Sequence, residues 1–254
     1  MHRIITLLIL MLAAESAFAL AEWTRTESGC EVWNENPKSG ETFTWDGPCV
    51  GGKASGRGTL VWVYVDGDIK RSGRYEGEML EGRQHGAGLY QWGNGDRYVG
   101  GYLKGKFHGK GERVWARGDR YEGEYRNGVF HGLGVYVWAS GARYEGEFRD
   151  DMKQGRGVQS WASGARYEGE YQFDKPHGHG TFTGARGDRY EGEWRRGRQH
   201  GSALYVWPNG DTYEGEYFDG KKHGTGRCRA AGSEKWVTCR FKDGEPVAPD
   251  AQPQ

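Results

Sequence analysis

The sequence predicts an all-β fold: an elongated, single-layer antiparallel meander of about eight β-hairpins, twisted and curved. Three observations carry that expectation. Tyrosine recurs every 23 residues, at Tyr75, Tyr98, Tyr121, Tyr144, Tyr167, Tyr190 and Tyr213, with Trp236 in the next slot. A fixed period of that size marks an array of stacked supersecondary units. Each period holds two short alternating runs bounded by glycine turns, the pattern of a hairpin. Glycine reaches 45 of 254 residues, and each interior glycine costs a helix about 1 kcal/mol relative to alanine, which excludes helices.

Taken in chain order, the first segment reads as an export signal. Arg3 supplies a basic start, Ile4 to Ala14 a short apolar run, and Ala17-Phe18-Ala19 (or Ala19-Leu20-Ala21) a small-residue cleavage site. The run is too short to span a bilayer, and no cysteine follows closely enough for lipid attachment. A signal peptide is therefore expected over 1–19, with delivery to the periplasm or the medium. Residues 20–44 form an N-terminal cap and 45–74 a degenerate first unit. Seven full units occupy 75–235, a C-terminal cap strand 236–245, and an unstructured tail 246–254.

The unit from Tyr121 to Arg143 shows how one period works. Tyr121, Gly123 and Tyr125 alternate with Glu122 and Glu124 on the first strand, and Gly132, Gly134, Tyr136 and Trp138 share a face on the second. One side of the ribbon is thus rings and glycine, where a ring lies flat over a neighbouring backbone. Aliphatic residues are sparse, so burial must come from rings. The other side carries the glutamates and Arg97, Arg120, Arg143, Arg166 and Arg189, with opposite charges across strands contributing about 0.2–1 kcal/mol per pair. Asn94-Gly95 and Asn209-Gly210 are expected as tight turns with positive φ at both residues. Sixteen or so strands at ~4.8 Å spacing give a ribbon on the order of 75 Å long. Its ring face is expected to line a concave, partly self-packed groove.

Charge is balanced at 35 basic and 35 acidic residues, which disfavours nucleic acid as a partner. Four cysteines, Cys30, Cys49, Cys228 and Cys239, suit an oxidising compartment. The ends of a long array lie far apart, so Cys30–Cys49 and Cys228–Cys239 are the expected disulfides. Zinc is the competing reading, but neither pair has Cys-x-x-Cys spacing.

Tyr-Glu-Gly-Glu-aromatic, then glycine, then His-Gly-x-Gly resembles the MORN (membrane occupation and recognition nexus) repeat. Tyr190-Glu191-Gly192-Glu193-Trp194…Gly197…His200-Gly201 and Tyr213-Glu214-Gly215-Glu216-Tyr217…Gly220…His223-Gly224-Thr225-Gly226 are close matches. The degenerate unit begins Trp45-Asp46-Gly47 and carries Ser55-Gly56-Arg57-Gly58. The third unit departs, reading Tyr98-Val99-Gly100-Gly101-Tyr102. The fifth has Gln154 in the histidine slot, and the sixth has Gly184 where tryptophan usually falls. Some members of that family append a kinase or methyltransferase domain, for which the repeats and two short ends leave no space in these 254 residues.

The recurring residues argue against a single catalytic site. His85, His108, His131, His177, His200 and His223 form a row, but equivalents on successive hairpins stand about 9.6 Å apart, too far to share a zinc ion with ligand distances of about 2 Å. Turn and cap hydrogen bonding is the expected role. Glu145 and Glu147 resemble a glycosidase pair, yet the same pair recurs in six of the seven full units. No nucleophile elbow or phosphate loop is present. The third unit carries Lys104, Lys106, Lys110, Arg113, Arg117 and Arg120 against Glu112 and Asp119 alone, a candidate basic patch. The expected function is a non-catalytic exported scaffold, without cofactor or metal. It docks a protein or cell-envelope component on its ring face; a membrane surface met through the basic unit is the alternative, and an envelope glycan hydrolase the second.

Overall fold

The structure is a computed structural model that describes residues 21–247; the expected signal peptide at 1–19 lies outside them. Every regular element among the described residues is a strand: β1 (Glu22–Arg25), β2 (Glu31–Asn34), β3 (Thr42–Trp45), β4 (Cys49–Val50), β5 (Lys53–Ala54), β6 (Gly56–Asp66), β7 (Ile69–Leu80), β8 (Arg83–Trp92), β9 (Arg97–Leu103), β10 (Lys106–Val114), β11 (Arg120–Arg126), β12 (Val129–Val137), β13 (Arg143–Arg149), β14 (Met152–Ser160), β15 (Arg166–Gln172), β16 (Lys175–Thr183), β17 (Arg189–Arg195), β18 (Arg198–Val206), β19 (Thr212–Phe218), β20 (Lys221–Arg229), β21 (Val237–Lys242) and β22 (Glu245–Pro246). From β6 onward each strand pairs antiparallel with the next, and β3 pairs with β6. No register joins β22 back to β3, so the sheet is an open meander of 18 strands. A second sheet, in the order β1-β2-β5-β4, caps the N-terminal end.

Each of the seven full units contains one irregularity. The register slips between Gly123 and Glu124, and at the same place in the units of Gly77, Gly146, Gly169 and Gly192. The strand-to-strand joins between hairpins carry no such slip. A bulge bends its strand and increases local twist, so one bulge per 23 residues distributes curvature evenly.

The two kinds of turn differ, and this corrects an expectation. Hairpin turns such as Asn127-Gly128 have positive φ at both residues, 54° and 93°, the twist-matching two-residue type. At Asn94-Gly95 and Asn209-Gly210 only the glycines do, at 93° and 92°. These connectors are longer loops closed by Trp92 N–H to Asp96 O and Gly95 N–H to Trp92 O, with equivalents at Trp207. Asn94 Oδ1 instead accepts from Asp96 N–H.

The core is the line of period-defining tyrosines, none more than 1% exposed. A side chain at Gly123 or Gly134 would collide with the Tyr121 ring, so the glycine pair Gly123↔Gly134 is the bed on which that ring lies. Trp45 lies in the same way over Gly47 and Gly58. Cys49, four residues on, is exposed and pairs with Ala54 in the cap sheet. The insertion that separates Trp45 from Tyr75 by more than one period lengthens the β6–β7 hairpin, which pairs as far as Asp66↔Ile69.

Two expectations at the C-terminal end are corrected. Trp236 does not hold an eighth tyrosine slot: Val237 lies opposite Cys228, one residue later than the period requires, and Trp236 stacks under Arg227 and Arg229. Pro246, expected in the tail, pairs with Phe241; residues 248–254 of that tail lie outside the described part.

Candidate functional site

The Tyr-Glu-Gly-Glu motif is resolved into separate mechanical roles. Each tyrosine hydroxyl donates to the backbone carbonyl three residues on, at 2.6–3.1 Å. Its ring meets the aromatic residue at the fifth position of the next unit edge-to-face: Tyr75–Tyr102, Tyr98–Tyr125, Tyr121–Phe148, Tyr144–Tyr171, Tyr167–Trp194 and Tyr190–Tyr217, all at 5.1–5.3 Å. Edge-to-face pairs contribute about 0.5–1.5 kcal/mol beyond area burial, so the contact between units is specified by geometry. Burial raises the pKa of these tyrosines, which keeps the hydroxyls as neutral donors.

The two glutamates do different work. The first pairs with the arginine before the tyrosine: Arg120–Glu122, Arg143–Glu145, Arg166–Glu168 and Arg189–Glu191 at 2.5–2.7 Å, all exposed. The second folds over the bulge and accepts from the backbone N–H of the third residue of His-Gly-x-Gly, as Glu147 does from Arg156 at 2.9 Å, Glu170 from His179 at 3.0 Å and Glu193 from Ser202 at 3.1 Å. This requires the preceding Gly155, Gly178 and Gly201 in the left-handed region at 57–59°, where glycine has no steric cost. Glu145 and Glu147 are thus an ion-pair partner and a bulge cap. Sequence reasoning placed both glutamates on one wet face and missed that division.

The histidine row sits at the seam between units. His200 Nδ1 accepts from Asp219 N–H and His223 Nδ1 from Asp243 N–H, both at 3.5 Å. Gln154, in the histidine slot, accepts from Phe173 N–H at 3.3 Å, so the amide reproduces the cap. His131 Nδ1 faces Asp150 at 3.8 Å, and the Nδ1 atoms of His108 and His131 are buried without a hydrogen bond. The described residues hold no group of three or more His, Cys, Asp or Glu able to hold a metal. A parallel device on the connector edge was also missed: Asp96, Asp119 and Asp211 each accept a backbone N–H from the next connector, at Ala116, Ala139 and Ala231. The recurring Gly-Asp after the tryptophan was the signal.

The candidate basic residues are spread over the ribbon. Lys104 lies in the β9–β10 turn with φ 51°, next to Lys106. Lys110 pairs opposite Glu124 on the glutamate side. Arg113 pairs opposite Tyr121 on the ring side, between Trp92 and Trp115 at 4.9 and 4.6 Å from the ring centroids. Sulfurs of Cys30 and Cys49, and of Cys228 and Cys239, are at bonding distance with Cα separations of 5.7 and 5.9 Å, one pair at each end.

Concavity is present on both faces, which corrects the expectation of a single ring-lined groove. The tyrosines themselves are closed off. A trough of about 700 Å³ runs over the glutamate side, lined by Lys110, Glu122, Glu124, Leu133, Val135 and Glu145. On the ring side, one recess of about 470 Å³ opens between the N-terminal cap and β6–β10, and another of about 340 Å³ lies between Trp138 and Trp161. Half-buried rings border that side, among them Tyr90, Trp92, Trp115, Tyr136 and Trp138. Lys222 sits there too, with Nζ 3.7 Å over Trp207, and burial brings its pKa down to about 8.

The fold and motif define a class, a linear array of bulged Tyr-Glu-Gly-Glu hairpins held by ring-to-ring contacts. The MORN repeat family matches consecutively at 75–97, 98–120, 121–143, 144–166, 167–189, 190–212 and 213–233, and the chain belongs to that family. A comparison with curated proteins gives no match. Among solved structures, the chain is similar to the TCP domain of SAS-4 (dCPAP) from Drosophila melanogaster, determined in complex with a proline-rich motif of Ana2 (dSTIL). Identity is 8%, the match covers 60% of this chain and 83% of that one, and the TM-score is 0.39. At that TM-score the likeness carries no argument about this chain.

Proposed function

We propose that this is an exported, non-catalytic scaffold that docks a protein or a cell-envelope component on its ring face. One observation carries the reading: Trp92, Trp115, Trp138 and Trp161 stand at the same point of four successive units, with Trp161 40% exposed. Amphipathic rings repeated about every 9.6 Å along a self-packed ribbon offer large contact area with little ordering cost. Export is supported by the two cysteine pairs at bonding distance. The test compares retention of envelope components by the mature chain and by a Trp115→Ala/Trp138→Ala/Trp161→Ala variant. A component held by the first, lost by the second and kept by a Glu122→Gln/Glu145→Gln control supports the reading. Equal retention by all three overturns it, and recovery of the protein with four reduced cysteines and an intact N-terminus overturns export.

The alternative is attachment to an anionic membrane through the third unit. It rests on Lys104, Lys106 and Lys110, all exposed and without an ion-pair partner among the described residues. Co-sedimentation with phosphatidylserine vesicles, abolished by neutralising the three lysines, is its expected result; no co-sedimentation removes it.

A further inference from the structure

The recess at the N-terminal end differs from the rest of the ring face in what lines it. One wall is a continuous run of rings, with Trp62–Tyr90 centroids 4.9 Å apart and Tyr90–Trp92 4.1 Å apart. The facing wall is the 34–41 segment of the cap. That segment is pinned by Asn34 Nδ2 and Lys38 N–H, both donating to Glu41 Oε2 at 2.7 Å. The recess is also lined by Glu35, Asn36, Lys38 and Gln84, none of whose side chains makes a hydrogen bond or ion pair within the described residues. The space, about 470 Å³, falls in the usual range for small-ligand sites, about 300–1,000 Å³.

From this arrangement we infer that the recess binds a neutral oligosaccharide of pyranoses with equatorial hydroxyls. The inference rests on the reading of the ring face as a binding surface and names the ligand class of its N-terminal end. A pyranose with equatorial hydroxyls presents flat C–H faces that pack on rings and an edge of hydroxyls that both donate and accept. The free polar side chains match that combination: the Glu35 carboxylate only accepts, the Lys38 ammonium only donates, and the Asn36 and Gln84 amides do both. A proline-rich segment, the other usual occupant of an aromatic groove, offers carbonyl acceptors and few donors, so it gives the Glu35 carboxylate no partner. A phosphate-bearing ligand meets two carboxylates, Glu35 and Glu41, against the single Lys38 ammonium.

The experiment is calorimetric titration of the disulfide-intact mature chain with cellotetraose and with chitotetraose. Expected is saturable binding of at least one, weakened about tenfold or more (about 1.4 kcal/mol) by Asn36→Ala and by Trp92→Phe, with unfolding temperatures unchanged. Glu122→Gln, on the opposite face of the ribbon, leaves the affinity as it is. Heats at the dilution level for both sugars at millimolar concentration, with the protein folded, overturn the inference. So does saturable binding of decaproline with no binding of either sugar. Because these variants spare Trp115, Trp138 and Trp161, failure here leaves the envelope-docking test standing on its own result.

Discussion

Two tyrosines of one repeat, four residues apart, respond oppositely to loss of the hydroxyl. Tyr121 is fully buried, and its hydroxyl donates to Glu124 O at 3.0 Å. Tyr121→Phe leaves that carbonyl without its side-chain donor, and a buried polar group stripped of its partner costs about 1–3 kcal/mol. Tyr125 is 3% exposed, and its hydroxyl is buried with no partner. Tyr125→Phe removes an unpaired polar atom and keeps the ring that meets Tyr98 at 5.2 Å. It is therefore neutral or stabilising, and Phe148 already fills the same slot one unit on. For a chain of this size 1 kcal/mol moves the unfolding temperature by roughly 2–4 °C, so Tyr121→Phe lowers it by several degrees while Tyr125→Phe holds or raises it. Thermal and urea unfolding followed by near-ultraviolet circular dichroism, with disulfides intact, separates the two. Repeat arrays can lose two-state cooperativity, so hydrogen exchange at the Leu133 amide gives the local reading. Equal destabilisation by both substitutions, or none by Tyr121→Phe, refutes the division of roles between the first and fifth aromatic positions.

The glutamates should also separate: Glu147→Ala, which uncaps the Arg156 N–H, costs about 1 kcal/mol, whereas Glu145→Ala, which breaks an exposed pair with Arg143, costs at most about 0.5 kcal/mol by urea titration. Reducing both disulfides lowers stability by about 2–4 kcal/mol per loop in the chain-entropy estimate; Cys228→Ser/Cys239→Ser isolates the C-terminal one, and an unchanged urea midpoint contradicts its expected role. Burial alone would raise the pKa of Asp119, but the Ala139 N–H, the Tyr136 hydroxyl and Arg117 outweigh it and hold the carboxyl below its ordinary value. A depressed folded-state pKa stabilises above the unfolded value near about 3.9, and that contribution fades as pH falls below it. Asp119→Asn should flatten the acid limb of the stability profile, and an acid limb identical to the wild type's would show that Asp119 is not held in this way.

Much of the ribbon was legible because its determinants are local and repeat. Alternation put Tyr121, Gly123 and Tyr125 on one face and Glu122 and Glu124 on the other, as the register shows. The open array also kept Cys30 and Cys239 apart. The bulge after Gly123 was not legible, since a register slip depends on how two strands compete for hydrogen bonds. Nor was the displacement at Trp236, where spacing pointed to a tyrosine slot but the strand after the Gly232 turn enters one residue late. Asn36 and Gln84 lie far apart in sequence and share a recess only because the cap folds back over the first hairpins.

By itself the sequence determined the unit: its period, its two faces, its ring-and-glycine core and its cysteine-closed ends. These follow from side-chain alternation and from rings that need glycine beneath them, both set within a few residues. Tertiary structure decided which carboxylate caps and which one pairs, which hydroxyls are satisfied, and where the ribbon is hollow. Those outcomes depend on how strands pair and units stack, as in the Arg156 N–H taken by Glu147 across the bulge, the Ala139 N–H held by Asp119 and the Tyr121 ring set against Phe148, and they exist only once the hairpins have formed and successive units are stacked.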